Sequence, residues 1–152
     1  MERGPSPNGC TTTLRRTREP IKNRGQPIEA DVSYAVGYSG ATQIQLIEQH
    51  DQLPSIYRDM YPTGFGHHHI GRLVVDYETE RDRLISLGFA LACELHANDI
   101  RAAYLDTRPP IGVFTEFHSI TPRILATFTR WRTAHDTWDG TGSAIRRHVS
   151  GT

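Results

Sequence analysis

HHHIGRLVVDYETERDRLISLGFALACELHANDIRAAYLDTRPPIGVFTEFHS, His67 to Ser119, changes its hydrophobic period from two to helical and back again. HHHIGRLVV reads as a strand that opens on three histidines. Asp76 stands where a helix N-cap belongs, YETERDRLISL carries Tyr77, Leu84, Ile85 and Leu87 in a helix, and Gly88 fits the position just past its end. FALACELHA and DIRAAYLDT read as strands, RPPIG as a turn and GVFTEFHS as a closing strand. The order is β-α-β-β-β.

Toward the N-terminus, Val32, Tyr34, Val36 and Tyr38 of DVSYAVGY alternate with smaller residues, the period-two pattern of a strand with unlike faces. A turn at SGAT, with Gly40, leads into TQIQLIEQ, which sets Gln43, Gln45 and Ile47 on one face and Ile44 and Leu46 on the other. This hairpin resembles the last two strands of the downstream unit. Asp31 aligns with Asp99, Ala35 with Ala103 and, past a turn three residues longer, Gln45 with Glu116. The chain therefore divides into a head over 1–27, a partial unit over 28–50 that keeps two strands, and a connector over 51–66. The complete unit over 67–119, a helix over 120–140 and a tail over 141–152 follow. The repeat puts the counterpart of His69 near Met1, where neither strand nor helix is legible, so the first unit is expected to be truncated or its start replaced.

The head has only Met1, Cys10, Leu14 and Ile21 as clear apolar residues, too few to offset the entropy of ordering, and is expected to be mobile. Thr121-Pro122 reads as a helix N-cap and first residue, with Ile124, Leu125, Phe128 and Trp131 at helical spacing. The tail is polar and expected to fray. Lysine plus arginine and aspartate plus glutamate number 17 each, so no net field favours nucleic acid or an anionic membrane. No apolar run approaches the ~20 residues of a spanning helix, and the N-terminus lacks the apolar centre of a secretory signal. With only Cys10 and Cys93, a structural disulfide is not expected, and a soluble cytoplasmic protein is. Nucleophile motifs are absent, and GFG before the histidines opens a strand rather than a phosphate-binding helix.

The complete unit, with NRGQPIEADVSYAVGYSGATQIQLIEQ, GFGHHHIGRLVVD, AAYLDTRPPIGVFTEF and WRTAHDTWDG, resembles the vicinal oxygen chelate superfamily over Arg24 to Gly140. The nearest likeness is its glyoxalase-like branch around methylmalonyl-CoA epimerase. The resemblance implies an α+β fold of paired βαβββ modules, a cup-shaped mixed sheet holding one divalent metal. It implies a lyase or isomerase that acts on a small carbonyl or acyl-thioester substrate through a metal-chelated enediolate. Some members of the superfamily bind ligands without turnover, so the alternative is a non-catalytic or inactive protein of the same fold.

By that resemblance His69 and Glu116 are metal ligands from the first and last strands of the complete module, and Gln45 is a third from the last strand of the partial one. A fourth is lacking, because no histidine precedes His50. Glu116 is also the expected catalytic base. Imidazole nitrogen with amide and carboxylate oxygens suits zinc, manganese, cobalt or nickel. Strand alternation puts His67 and His69 on one face and His68 on the other, so one ion cannot use all three. The plain alternative is a polar strand start with incidental histidines. His118 shares the face of Glu116 and is a substrate-binding candidate, as are Tyr57 and Arg58 of the connector. Glu48 could be a second base, but it lies opposite Gln45 on a regular strand. The half unit leaves a sheet edge open, and an open edge predicts a homodimer.

Overall fold

A computed structural model describes residues 12–17 and 21–147. In chain order these form β1 (Thr12–Thr17), β2 (Ile21–Asn23), β3 (Gln26–Ile28), β4 (Val32–Ser39), β5 (Thr42–Gln49), α1 (Ile56–Met60) and β6 (His69–Val74). There follow α2 (Tyr77–Ser86), β7 (Leu91–Ala97), β8 (Ile100–Leu105), α3 (Arg108–Ile111), β9 (Phe114–Ser119), α4 (Pro122–Asp136) and β10 (Ile145–Arg147). The elements gather into two compact units. One holds β1, β4, β5, β10 and the greater part of α4; the other holds β2, β3 and the run from Asp51 to Leu125. Among the described residues no helix is long and apolar enough to cross a membrane.

The second unit is built on a six-stranded sheet in the order β3-β2-β7-β8-β9-β6. β7, β8 and β9 are antiparallel neighbours, and β6 runs parallel to β9, with His69 opposite Phe114 and Gly71 opposite Glu116. The connection β6-α2-β7-β8-β9 is the predicted βαβββ module, its first strand parallel to its last, and the fold is α+β. Local chemistry sets the ends of α2. Asp76 accepts a hydrogen bond from Thr79 N at 2.9 Å, and Gly88, at φ 91°, takes the left-handed conformation that ends the helix. RPPI, expected as a turn, makes the single helical turn α3, which stops at Gly112 in the left-handed region.

Two apolar clusters cover the two faces of this sheet. Tyr77 and Leu84 of α2 pack on Ala103, Leu105 and Phe117, while Ile56 of α1 packs on Ala92, Cys93, Tyr104 and Phe114. The sorting depends on a β-bulge between Leu91 and Cys93. A bulge sets two residues against one and reverses the alternation beyond it. Cys93 therefore joins the α1 face, and Glu94 turns to α2, where it accepts a 2.7 Å hydrogen bond from the Tyr77 hydroxyl.

The first unit is a four-stranded sheet in the order β10-β1-β4-β5. Its hairpin register puts Gln45 opposite Val36 and Leu46 opposite Ala35, matching Glu116 opposite Tyr104 and Phe117 opposite Ala103 in the other unit. The repeat in the sequence is thus a repeat of pairing. One expectation is corrected: β1 pairs antiparallel with β4 as β7 does with β8, so this unit keeps three strands of the module rather than two. The expected mobile head is likewise corrected over 12–17 and 21–27, and the fraying tail over Ile145–Arg147, where β10 pairs parallel with β1. Backbone pairing to an existing sheet needs little apolar composition, which is why a hydropathy argument overlooked these strands. Residues 1–11, 18–20 and 148–152 of the expected head and tail lie outside the described residues, and Cys10 with them.

Where β6 and α2 complete the second unit, the first has neither among its described residues. β5 is the last strand of its sheet, and Leu46 is 61% exposed and Ile44 44% exposed, whereas Phe117, the counterpart of Leu46, is wholly buried beneath α2. The opposite face of the hairpin is covered. Tyr38 donates a hydrogen bond to Phe128 O of α4 at 3.3 Å, and the Arg132 guanidinium lies 5.0 Å from the Tyr38 ring.

Candidate metal centre

Glu116 occupies the middle of β9 with its carboxylate buried, opposite Tyr104 on β8 and Gly71 on β6. Four residues from three strands meet there. His69 Nε2 lies 3.2 Å from Glu116 Oε2, His118 Nε2 lies 3.0 Å from Oε1, and the Tyr104 hydroxyl hydrogen-bonds to the same carboxylate. Burial alone would push the carboxyl up, but the charge and hydrogen bond of His118, then those of His69, outweigh it and hold Glu116 well below the usual carboxylate range. Burial would likewise push His118 down, and the facing carboxylate reverses this and raises it. Burial first, and Glu116 next, carry the Tyr104 phenol well above its ordinary value.

Gly71 makes room for this carboxylate. A Cβ at that position would stand 3.0 Å from Glu116 Oε2, tighter than ordinary contact. Replacing it with alanine is expected to push the carboxylate off His69, at a cost of about 1–3 kcal/mol from overpacking. Urea unfolding with the histidine ring resonances followed by NMR checks this; unchanged His69 shifts in the variant would remove the role assigned to Gly71.

The histidine run behaves differently from its sequence pattern. The strand begins only at His69, so the pleat does not govern His67 and His68. His68 turns to the same side as His69, with its Nδ1 3.0 Å from His69 Nδ1 and its Nε2 3.1 Å from Ile56 O; the expectation of opposite faces is corrected. Its ring sits among Tyr57, Phe114 and Tyr104, at centroid distances of 4.9, 5.0 and 6.4 Å. Burial among these rings pushes His68 down to about 4. The short helix α1 supplies both Ile56 O and Tyr57, and Ser55 caps it by accepting from Tyr57 N and Arg58 N, each at 3.1 Å.

Of the residues singled out from sequence, His69, Glu116 and His118 are in contact, and Tyr57 reaches the group through His68. Arg58 is engaged elsewhere: its guanidinium donates to Asp51 O at 2.8 Å and holds the connector. Gln45 belongs to the first unit, on the face of β5 shared with Val36 and Tyr38, and Glu48 is exposed on the other face. Tyr104, Gly71 and His68 escaped the sequence reading. The first two are recognisable only through register, and His68 only through α1.

The pair His69 and Glu116 suits a divalent ion. Two donors each about 2.1 Å from one ion, at right or tetrahedral angles, stand roughly 3.0–3.4 Å apart. The 3.2 Å between His69 Nε2 and Glu116 Oε2 falls in that span, and a nitrogen–oxygen pair fits zinc, manganese, cobalt or nickel. Among the described residues no three His, Cys, Asp or Glu side chains are grouped to hold an ion.

In the metal-free protein these shifts set a pH profile. His68 lies near 4 when folded against 6.5 ordinarily, so stability is lost as pH falls from 6.5 toward 4, on the order of 2 kcal/mol after allowing for its partial exposure. His118 is raised, so its contribution is complete below pH 6.5 and is lost as pH rises through its folded value. Glu116 is depressed, so its contribution is complete above about pH 4.5 and is lost only in stronger acid. Urea unfolding across pH 4–9 should therefore show greatest stability near pH 6.5, with a flatter acid limb in His68→Phe. An acid limb identical in the two proteins would contradict the assignment.

A search of solved structures finds methylmalonyl-CoA epimerase from Mycobacterium tuberculosis at 22% identity and a TM-score of 0.48, over 62% of this chain and 67% of that one. It also finds a glyoxalase family protein from Bacillus cereus at 18% identity and a TM-score of 0.34, over 60% and 64%. The chain thus spans about two thirds of the length of each. No family model and no curated protein matches. The fold assignment stands on the strand order and on the parallel pairing of β6 with β9.

Proposed function

We propose that the chain is a divalent-metal-dependent lyase or isomerase of the glyoxalase and epimerase type, acting on a small carbonyl or acyl-thioester substrate by moving a proton at the carbon beside the carbonyl. The observation that carries this reading is the buried approach of His69 Nε2 to Glu116 Oε2, from two strands distant in sequence and parallel in space. An ion bound there would polarise adjacent substrate oxygens and make the neighbouring carbon acidic. His69 and Glu116 would hold it. His118, next to Glu116, would contact substrate, and Tyr57 and Arg58 would stand at the approach.

Glu116 has two tasks open to it, ligand and base. The hydrogen bonds of His69, His118 and Tyr104 leave its carboxylate weakly basic, which favours the ligand task; accepting a proton would require Oε1 to leave His118. Epimerisation also wants a second, opposed base. The test is proton exchange: metal-loaded protein in deuterated water with acyl-thioester and hemithioacetal substrates should incorporate deuterium at the α-carbon, and Glu116→Gln should not. No incorporation from any of them by the loaded wild-type protein would sink the enzymatic reading.

A second reading, a non-catalytic ligand-binding protein, is favoured by the same low basicity. Ligand-induced thermal shifts without exchange would select it. We also carry the homodimer as part of the proposal, supported by the place of β5 at the end of its sheet among the described residues and by the exposed Ile44 and Leu46 on it. A single-chain mass by light scattering at working concentration would remove it. The free, buried Cys93, whose thiol burial pushes up to about 12, is in keeping with a reducing cytoplasmic setting.

A further inference from the structure

We propose that α1 is a lid, and that the sheet face beneath it, from Glu116 to Asn23, is the floor of a binding site for an elongated ligand. Such a ligand is apolar along its length and ends in a hydrogen-bond donor, a hydroxyl or an amide N–H. The inference deepens the proposed function and rests on it for any link to catalysis, but the lid and the floor need no metal.

Register lays the floor out. Asn23 stands opposite Cys93, Cys93 opposite Tyr104 and Tyr104 opposite Glu116, a row across β2, β7, β8 and β9. Residues directly opposite on antiparallel strands share a face, and strands lie about 4.8 Å apart, so the backbone at Asn23 is about 14 Å from that at Glu116. Ala92 and Cys93 lie along the row with the rings of Tyr104 and Phe114, an apolar surface. Asn23 is 8% exposed, and its Oδ1 is buried with no hydrogen-bond partner among the described residues. A buried acceptor left unpaired is costly, and such groups persist where a ligand or an ordered water completes them. Oδ1 only accepts, so a ligand that completes it must donate.

The helix α1 occupies this floor. Ile56 is 1% exposed and packs on Ala92, Cys93, Tyr104 and Phe114. Yet among the described residues no backbone–backbone hydrogen bond joins residues 51–66 to the sheet. The segment is held through side chains. Tyr61 donates to His67 O at 3.1 Å, and Arg24 donates from Nε at 3.1 Å and from Nη2 at 2.7 Å to Asp59 Oδ2. A segment tied by few contacts opens without unfolding the rest. Arg24 directly follows Asn23, so the latch of the lid and the anchor of the floor belong to one hairpin, β2 with β3.

The test uses the metal-free full chain. In a Cys10→Ser background Cys93 is the one thiol, and its reaction with N-ethylmaleimide reads the opening of the lid. The rate should depend on dilute urea much less steeply than global unfolding does, because a lid exposes little surface. Arg24→Gln and Asp59→Asn should each raise it about 2–5-fold, the worth of a partly exposed ion pair. Octanol and its isomer heptyl methyl ether, which lacks the O–H donor, then probe the floor by NMR. Octanol should bind about 5-fold more tightly, with contacts to the Tyr104 and Phe114 rings, and Asn23→Leu should erase the preference. Labelling as urea-dependent as global unfolding, or unchanged by both latch variants, overturns the lid. Equal binding of the two isomers, or the same preference in folded Asn23→Leu, overturns the floor and leaves Asn23 to a water. Should Asn23→Leu not fold, the isomer comparison on the wild-type chain decides. The metal reading fails separately: no deuterium exchange by metal-loaded protein, with these results as expected, would sink the enzymatic reading and leave lid and floor standing.

Discussion

Phe117→Ala is expected to lower the stability of the metal-free protein by about 3–5 kcal/mol, while Leu46→Ala changes it by less than about 1 kcal/mol. The two positions correspond in the internal repeat, each opposite an alanine on the neighbouring strand, Ala103 and Ala35. They differ in what covers them. Phe117 is wholly buried beneath Tyr77 and Leu84 of α2, so truncation leaves a cavity among side chains that cannot all close in. Leu46 is 61% exposed and loses little on truncation. Chemical denaturation of both variants measures the difference. Comparable losses would mean that something covers the β5 face, and the account of an uncovered half module would be wrong.

The second large effect concerns Glu116. Glu116→Ala removes the acceptor shared by His69, His118 and Tyr104 and leaves the raised imidazole of His118 without its counter-charge. Breaking a buried pair from one side costs roughly 3–5 kcal/mol, and the lower end applies because His118 can shed its proton. The pH profile should lose its decline above pH 6.5, since that limb belongs to the His118–Glu116 pair. Glu116→Gln keeps hydrogen-bonding capacity and should lose less stability, while its metal binding falls as far as in the alanine variant. Retention of metal by either variant would separate Glu116 from the site.

Much of the second module was legible because its signals are local. Asp76 and Gly88 bracket α2 as read, and the alternation in GVFTEFHS placed Glu116 and His118 on one face, where they meet. The repeat also carried register, since aligning Ala35 with Ala103 anticipates the pairing of Leu46 and Phe117. What escaped depends on distant or irregular geometry. β1 is held by backbone pairing to β4, which composition does not reveal, and the bulge near Cys93 breaks the alternation that places side chains on faces. His68 was assigned to the wrong side because a pleat was extended two residues before the strand begins. Tyr104 enters the site because β8 pairs with β9, a contact that no spacing within either strand encodes.

Calorimetric titration of the purified full chain with zinc, manganese, cobalt and nickel tests the metal site most directly. Wild-type protein should bind at least one of these ions, and His69→Ala and Glu116→Ala should each weaken that binding by at least about 10-fold. No binding by the wild-type chain, or equal binding by folded His69→Ala and Glu116→Ala variants, would contradict a metal centre on β6 and β9.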